Sequence, residues 1–347
     1  MKSTFICLLL VLPSFVFGQT AWPSPEIGQM YRNAHKDIAR GNYKDAITIC
    51  RQAILLAPHL PVFTNQLAVA YYLSGDYNEA ETTLNKLDRQ ECDTQCFRLL
   101  AASQAALKKI KQSEKTMQSG IDLFPGSGSL YHEKGIICTL AGKEEEAINA
   151  WQDGMEHDPG FAPDYYDAAT ACISSGNVLR GLIYGEIFLA MKHDTVADTA
   201  LKNKLYAGYQ AFFEKIADNG KPDKKQQKTT FEDAVLKTYT MLTPVVSDGI
   251  TTENLAMVRT RFLMDWFAGY SEKYPFPLFS YLDEMIATGH FDVYNQWLFG
   301  AAENSQQYDA WNRFHEGDMA RFEEWKAANP FIPAGFSFGA GRLKEKQ

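Results

Sequence analysis

The side chains able to do chemistry are scattered along this sequence. His132–Glu133 and His315–Glu316 are its two His-Glu pairs. A zinc-protease helix carries a second His four residues after the first, on the same face, and neither pair has one. Asp283–Glu284 and Glu323–Glu324 are adjacent on helical stretches, so their carboxylates diverge rather than share a proton or a metal. "GFSFGAG" (335–341) is glycine-rich but follows no strand pattern, so it lacks the setting of a phosphate loop. Within it GFSFG (335–339) has the GxSxG spacing, but with no strand pattern before it it is not read as a nucleophile elbow. "KEEEA" (143–147) reads as charge on an outer helix face. His, Cys and carboxylate residues do not gather at ligand spacing. No catalytic centre, metal site or cofactor is expected.

The elements that would position functional groups come next. The formal net charge is −8 and the Lys and Arg residues are dispersed, with no basic stripe to neutralise phosphates. Nucleic acid is therefore not expected as a partner. Lys2 followed by the short apolar run 5–17, with Val16 and Gly18 at the small-residue positions, reads as a signal peptide (1–18) cut before Gln19. The expectation is an exported protein of the periplasm or extracellular space, without a membrane span. Beyond the cut lie Cys50, Cys92, Cys96, Cys138 and Cys172. An odd number cannot pair fully within the chain. Cys92 and Cys96 are the close pair, open either to a disulfide or to burial as thiols.

"GNYKDA" (41–46) returns as "GDYNEA" (75–80), and the interval continues. Ala46, Ala80, Ser113, Ala147 and Gly181 stand 34, 33, 34 and 34 residues apart, and all are small. A second small column lies twelve residues earlier: Ala34, Ala68, Ala101, Gly135 and Ala169. Pro58, Cys92, Pro125, Pro159 and His193 follow twelve later. Gly41, Gly75, Gly142 and Gly176 precede the small column, with Lys108 in that slot of the third unit. Each unit then reads as two amphipathic helices. Glycine caps the first through a positive φ, and proline ends the second. Small residues on both helices let backbones approach, and stacking buries the face that a lone hairpin leaves exposed.

These residues, with Phe97, Tyr131 and Tyr165 at an aromatic column, resemble the tetratricopeptide repeat family. The fold expected is all-α: a helix-hairpin solenoid of about five repeats over 27–195, followed by a helical C-terminal domain at 196–328. The resemblance implies that first helices line a concave groove. One column facing it would be Tyr31, Asn65, Arg98, His132 and Tyr166. A second would be His35, Val69, Ala102, Ile136 and Thr170, and a third Ile38, Tyr72, Ala105, Thr139 and Ile173. The first column is polar or aromatic throughout, which suits a protein or peptide partner, and Arg98 is its permanent charge. Some family members grip a C-terminal carboxylate with a Lys/Asn/Arg clamp. Here only Asn65 and Arg98 match, so that ligand is not expected.

Residues 218–228 ("DNGKPDKKQQK") read as an exposed loop, and helical periodicity resumes near 230–243, 252–272, 276–288, 291–303 and 306–328. Gly289 and Phe291 echo the earlier turns, suggesting a degenerate hairpin at 276–303. The aromatic residues of this half suit a helical core, or alternatively a recognition surface. Residues 329–347 read as an extended tail. The function expected is an exported scaffold or adaptor that binds a peptide or protein segment. The alternatives are an enzyme with its site in the aromatic half and a self-assembly module.

Overall fold

A computed structural model describes residues 22–191, 196–218 and 230–333. Residues 1–21, with the expected signal peptide, 192–195, with His193, 219–229 and 334–347, with "GFSFGAG", lie outside the described residues. Those described are all-α, with no strand among them. The chain divides into two compact units, Met1–Ser103 and Gln104–Gln347.

The first unit holds α1 (Pro25–Ala39), α2 (Tyr43–Leu56), α3 (Pro61–Leu73), α4 (Tyr77–Leu84) and the start of α5 (Thr94–Ala106). Ser24 caps α1, its Oγ accepting from the Ile27 N–H at 3.3 Å, and Pro25 fills the first turn, where no donor is needed. Ala34, Ala68 and Ala101 on first helices, and Ala46 and Ala80 on second helices, are all fully buried. Around them lie Ile27, Cys50, Ala53, Phe63, Leu67 and Tyr71. Helix α4 stops at Leu84, well short of Cys92. The polar stretch after it runs as turns until Asp93, whose carboxylate accepts from the Cys96 N–H at 2.8 Å and starts α5.

The second unit continues with α6 (Ile110–Leu123), α7 (Gly128–Leu140), α8 (Glu144–His157), α9 (Ala162–Ser174) and α10 (Val178–Ala190). Gly135, Ala169, Ser113, Ala147 and Gly181 are buried here. A Cβ on Gly135 would fall 2.2 Å from Trp151 Nε1. The indole lies across the glycine and donates to the His132 carbonyl at 3.2 Å. At Gly181 a Cβ would meet the Ala169 carbonyl oxygen at 2.9 Å. Glycine stands in place of alanine at Gly135 because the Trp151 ring fills the space, and at Gly181 because the backbone and Ile173 side chain of α9 do.

The turns repeat one geometry. Gly41, Gly75, Gly142 and Gly176 have φ of 80, 85, 73 and 84°. Lys108 takes the same conformation at φ 65°, the one non-glycine with positive φ among the described residues. The following N–H reaches back across the helix end from Asn42 to Asp37, Asp76 to Tyr71, Lys109 to Gln104 and Lys143 to Cys138. This is the six-to-one closure of a left-handed helix cap. The third repeat thus keeps the turn and accepts the strain of a side chain in it.

The C-terminal helices are α11 (Val196–Asp218), α12 (Phe231–Thr240), α13 (Thr252–Gly269), α14 (Pro277–Ala287), α15 (Phe291–Asn295), α16 (Ala301–Phe314) and α17 (Glu316–Ala328). Thr230 and Thr251 form reciprocal capping boxes with Asp233 and Asn254. The sequence pattern treated 306–328 as one segment, and His315 splits it, at φ −116°, ψ 25°. Gly289 at φ 75° turns α14 into α15 as in the repeats, but α15 then passes into a π-helical turn, Gln296–Gly300. One core runs from Cys138 to Phe331, joining the later repeats to these helices. Most of the aromatic residues are in it: Tyr239 stacks on Phe262 at 4.2 Å, and Trp266 meets Phe279 edge-on at 5.0 Å. Arg259 is buried here, ion-paired to Glu186 and bonded to Asn295, and the Tyr294 hydroxyl donates to Glu186 at 3.0 Å.

Candidate functional site

The first-column positions are set by helix geometry. Each lies three residues before a small-column residue on the same helix, so it sits one turn away, beside the helix–helix seam. In the first unit Tyr31, Asn65 and Arg98 are each half-buried, as is Tyr72. Tyr31 is held between Trp22, at 5.2 Å, and Phe63, at 6.3 Å, and lies 6.1 Å from the His35 ring. Burial raises its phenol pKa. Tyr72 packs edge-on against Tyr77 at 5.3 Å. Asn65 Oδ1 and His35 Nδ1 are shielded and have no hydrogen-bond partner. In the same columns Val69, Ala102 and Ala105 are buried as packing residues.

In the second unit His132 and Tyr166 are also half-buried. His132 Nε2 lies 2.8 Å from Asp167 Oδ2, joining the first helices α7 and α9, and the ring meets Phe161 edge-on at 5.7 Å. Tyr166 rests on Phe188 at 5.3 Å. Burial first, and the Asp167 charge second, raise its pKa. Thr170 Oγ1 has no partner. The sequence reading missed Asp167. It stands 35 residues after His132, one repeat plus one residue, and that offset was the available signal.

The first-column residues of each unit are therefore neither core nor fully solvated. The first unit offers a phenol, an amide and a guanidinium at these positions, and the second an imidazole and a phenol. It offers no nucleophile beside a base. Cys92 and Cys96 are buried free thiols. The Cys96 thiol donates to the Cys92 sulfur, which lowers the Cys92 pKa and raises that of Cys96. Cys50, Cys138 and Cys172 are likewise buried, and burial raises all three. No group of three or more metal-ligating side chains comes together among the described residues. No described helix is long and apolar enough to cross a membrane.

One carboxyl behaves unusually. Asp164 is fully buried, and neither oxygen has a hydrogen-bond partner. Gly154 makes room for it, since a Cβ there would lie 2.1 Å from Asp164 Oδ2. Burial, with smaller contributions from Asp167 and Asp158, pushes its pKa up to about 9. It is a neutral acid at physiological pH, with no exposure to a ligand.

A tetratricopeptide repeat family model matches residues 37–102, from the end of α1 into α5. No curated protein matches the sequence. Among solved structures, MamA of Desulfovibrio magneticus RS-1 is 16% identical and aligns over 47% of this chain and 94% of its own, at a TM-score of 0.39. A thermophilic tetratricopeptide repeat protein of Thermus thermophilus is 17% identical over 53% and 98%, at 0.43. YrrB, a tetratricopeptide repeat protein with an unusual peptide-binding site, is 17% identical over 45% and 81%, at 0.34.

Proposed function

For a chain whose residues 37–102 match the tetratricopeptide repeat, we propose an exported scaffold that holds an extended peptide or protein segment against the first helices of its repeats. One observation carries this reading. In each unit the first helices carry a half-buried polar or aromatic residue at the same repeat position: Tyr31, Asn65 and Arg98 in the first unit, His132 and Tyr166 in the second. The next column is mixed, with Val69 and Ala102 buried as packing residues beside His35 and Thr170, whereas the first column is polar or aromatic throughout. Asn can donate to and accept from a peptide backbone at once. Arg98 offers a planar fork to carboxylate or carbonyl oxygens. Tyrosine and histidine supply rigid contact area with a polar tip.

Export is supported by Lys2, the apolar run 5–17 and the small residues Val16 and Gly18. N-terminal sequencing of the secreted protein should begin at Gln19, and an intact Met1 start on cytosolic protein would contradict it. The binding reading is tested by selecting peptides from a display library on the purified mature protein. Selected peptides should lose affinity about tenfold on Arg98→Ala, with the circular dichroism spectrum and melting temperature unchanged. A library yielding no binders, or binders indifferent to both Arg98→Ala and Asn65→Ala, would refute it. A large fall in melting temperature would make Arg98 a structural residue.

A further inference from the structure

The second unit carries a cleft that involves none of the repeat columns. About 730 Å³ opens between the outer face of α13, the α14–α15 turn and the α16–α17 bend. A smaller, more polar recess of about 290 Å³ adjoins it, and the two share Thr252, Glu253, Gln296 and Trp311. Its walls depend on two departures from regular helix. The π turn sets Gln296 and Gly300 into the wall, a device often found at functional sites. At Asn304 the backbone becomes extended (φ −155°), and its side chain restarts the helix by accepting from the Gln307 N–H at 3.1 Å. Gly300 is required: the Tyr308 ring lies 2.6 Å from where its Cβ would be.

Three features define what this cleft can bind. First, it has an aromatic wall. Tyr308, Trp311 and His315 stack along one face, with ring centroids 6.4 and 4.3 Å apart. Second, its charge is one-sided. Glu253, Asp292, Glu303 and Asp318 line it against one guanidinium, Arg261, which is already paired with Asp265 at 3.0 Å. Asp318 is engaged by Arg321, and Glu303 accepts from the Thr252 N–H but keeps its charge, which leaves Glu253 and Asp292 as the other two carboxylates of the lining. Third, Thr252 lines both recesses, is 2% exposed, and its Oγ1 has no hydrogen-bond partner. A buried hydroxyl without a partner costs about 1–3 kcal/mol, and here it borders the space where a ligand would sit.

The N-terminus of α13 does not make this an anion site. The Thr251 N–H is taken by Asn254 Oδ1 at 2.9 Å, the Thr252 N–H by Glu303 at 2.6 Å and the Asn254 N–H by Thr251 Oγ1 at 3.2 Å. An anion would also meet the carboxylates. Carboxylates beside an aromatic face instead select a cation, by Coulomb attraction and by attraction to the ring quadrupole.

We infer that this cleft is a binding site for an organic ammonium or guanidinium group, with Trp311 as its platform, Glu253 and Glu303 as counter-charges and Thr252 as a hydroxyl acceptor. Such a group could arrive as a free polyamine or as a basic side chain of a peptide. Spermidine and an acetylated trilysine amide separate the two sources. Both are titrated calorimetrically into the mature chain at low salt, with Trp311→Ala and Glu253→Gln alongside. The chain should bind at least one probe, and whichever binds names the source. An acidic protein attracts any cation diffusely, so Trp311→Ala, which leaves net charge unchanged, is the discriminating variant and should weaken binding about tenfold. Glu253 is exposed, so Glu253→Gln keeps the test valid if Trp311→Ala misfolds, and it should weaken binding about fivefold. Binding of neither probe, or equal binding by the chain and both variants, would overturn the site.

Discussion

The repeats and the C-terminal helices bring helices together by opposite means. In residues 25–190 the seams are made by side chains that are nearly absent. Ala34, Ala46, Ala68, Ala80, Ala101, Ala147 and Ala169 are fully buried, and Gly135 and Gly181 touch their neighbours without a Cβ. In residues 231–299 the seams are made by bulk: Trp266, Phe262, Phe299 and Tyr294 are among the largest fully buried side chains, with a buried Arg259–Glu186 pair among them. Smallness must recur at a fixed interval for hairpins to stack, whereas interlocked rings need only fill a volume. The first solution leaves a period in the sequence, and the second does not.

The comparison can be broken most severely at the ion pair. Glu186→Ala leaves Arg259 buried without its counter-charge and should cost about 3–5 kcal/mol in urea unfolding. Replacing both, as Glu186→Leu with Arg259→Met, should restore most of that loss, because the penalty lies in the orphaned charge. In the repeats the corresponding injury is addition rather than removal. Gly135→Ala pushes a methyl into Trp151 and should cost about 2–3 kcal/mol, against a helix-propensity gain of about 1 kcal/mol. A neutral result would show that the seam tolerates volume.

Two smaller effects sharpen the contrast. Asp164 holds its proton in the folded chain up to about pH 9, while an unfolded Asp loses it near about pH 4. Between those values the native state binds the extra proton, so this group's contribution is greatest below about pH 4 and is lost as pH rises toward 9. Asp164→Asn should remove that slope and stabilise the chain by about 1–2 kcal/mol at neutral pH. Unfolding midpoints across the range would show it, and parallel profiles would place the proton elsewhere. Lys108→Gly, which relieves the left-handed side chain, should gain about 1 kcal/mol, whereas Gly142→Ala at the equivalent turn should lose a similar amount.

How much of this was legible follows the same division. The ten repeat helices, their turns and the inward small columns could be read because each rests on one residue type at one interval. Lys108 marked a departure, but only the structure shows that the turn persists through it. The early end of α4 was hidden because Cys92 sits in the proline slot without stopping a helix. The C-terminal helices were visible as periodic segments. The π turn, the break at Asn304 and the cleft they shape were not, since they depend on which rings meet across distant helices. The repeat face was legible as a column of residues, but not the contacts that share it: Asp167 on His132 and Trp22 on Tyr31.

The central claim is that the first-helix face of the repeats holds a protein segment. It is tested most directly by placing a photo-crosslinking amino acid at position 98 and, separately, at the exposed second-helix position 145 of the full-length chain in living cells. The account predicts one discrete crosslinked species from 98, lost when Asn65 is also replaced by Ala, and none from 145. Crosslinks that are equal from the two positions, or absent from both, would contradict it.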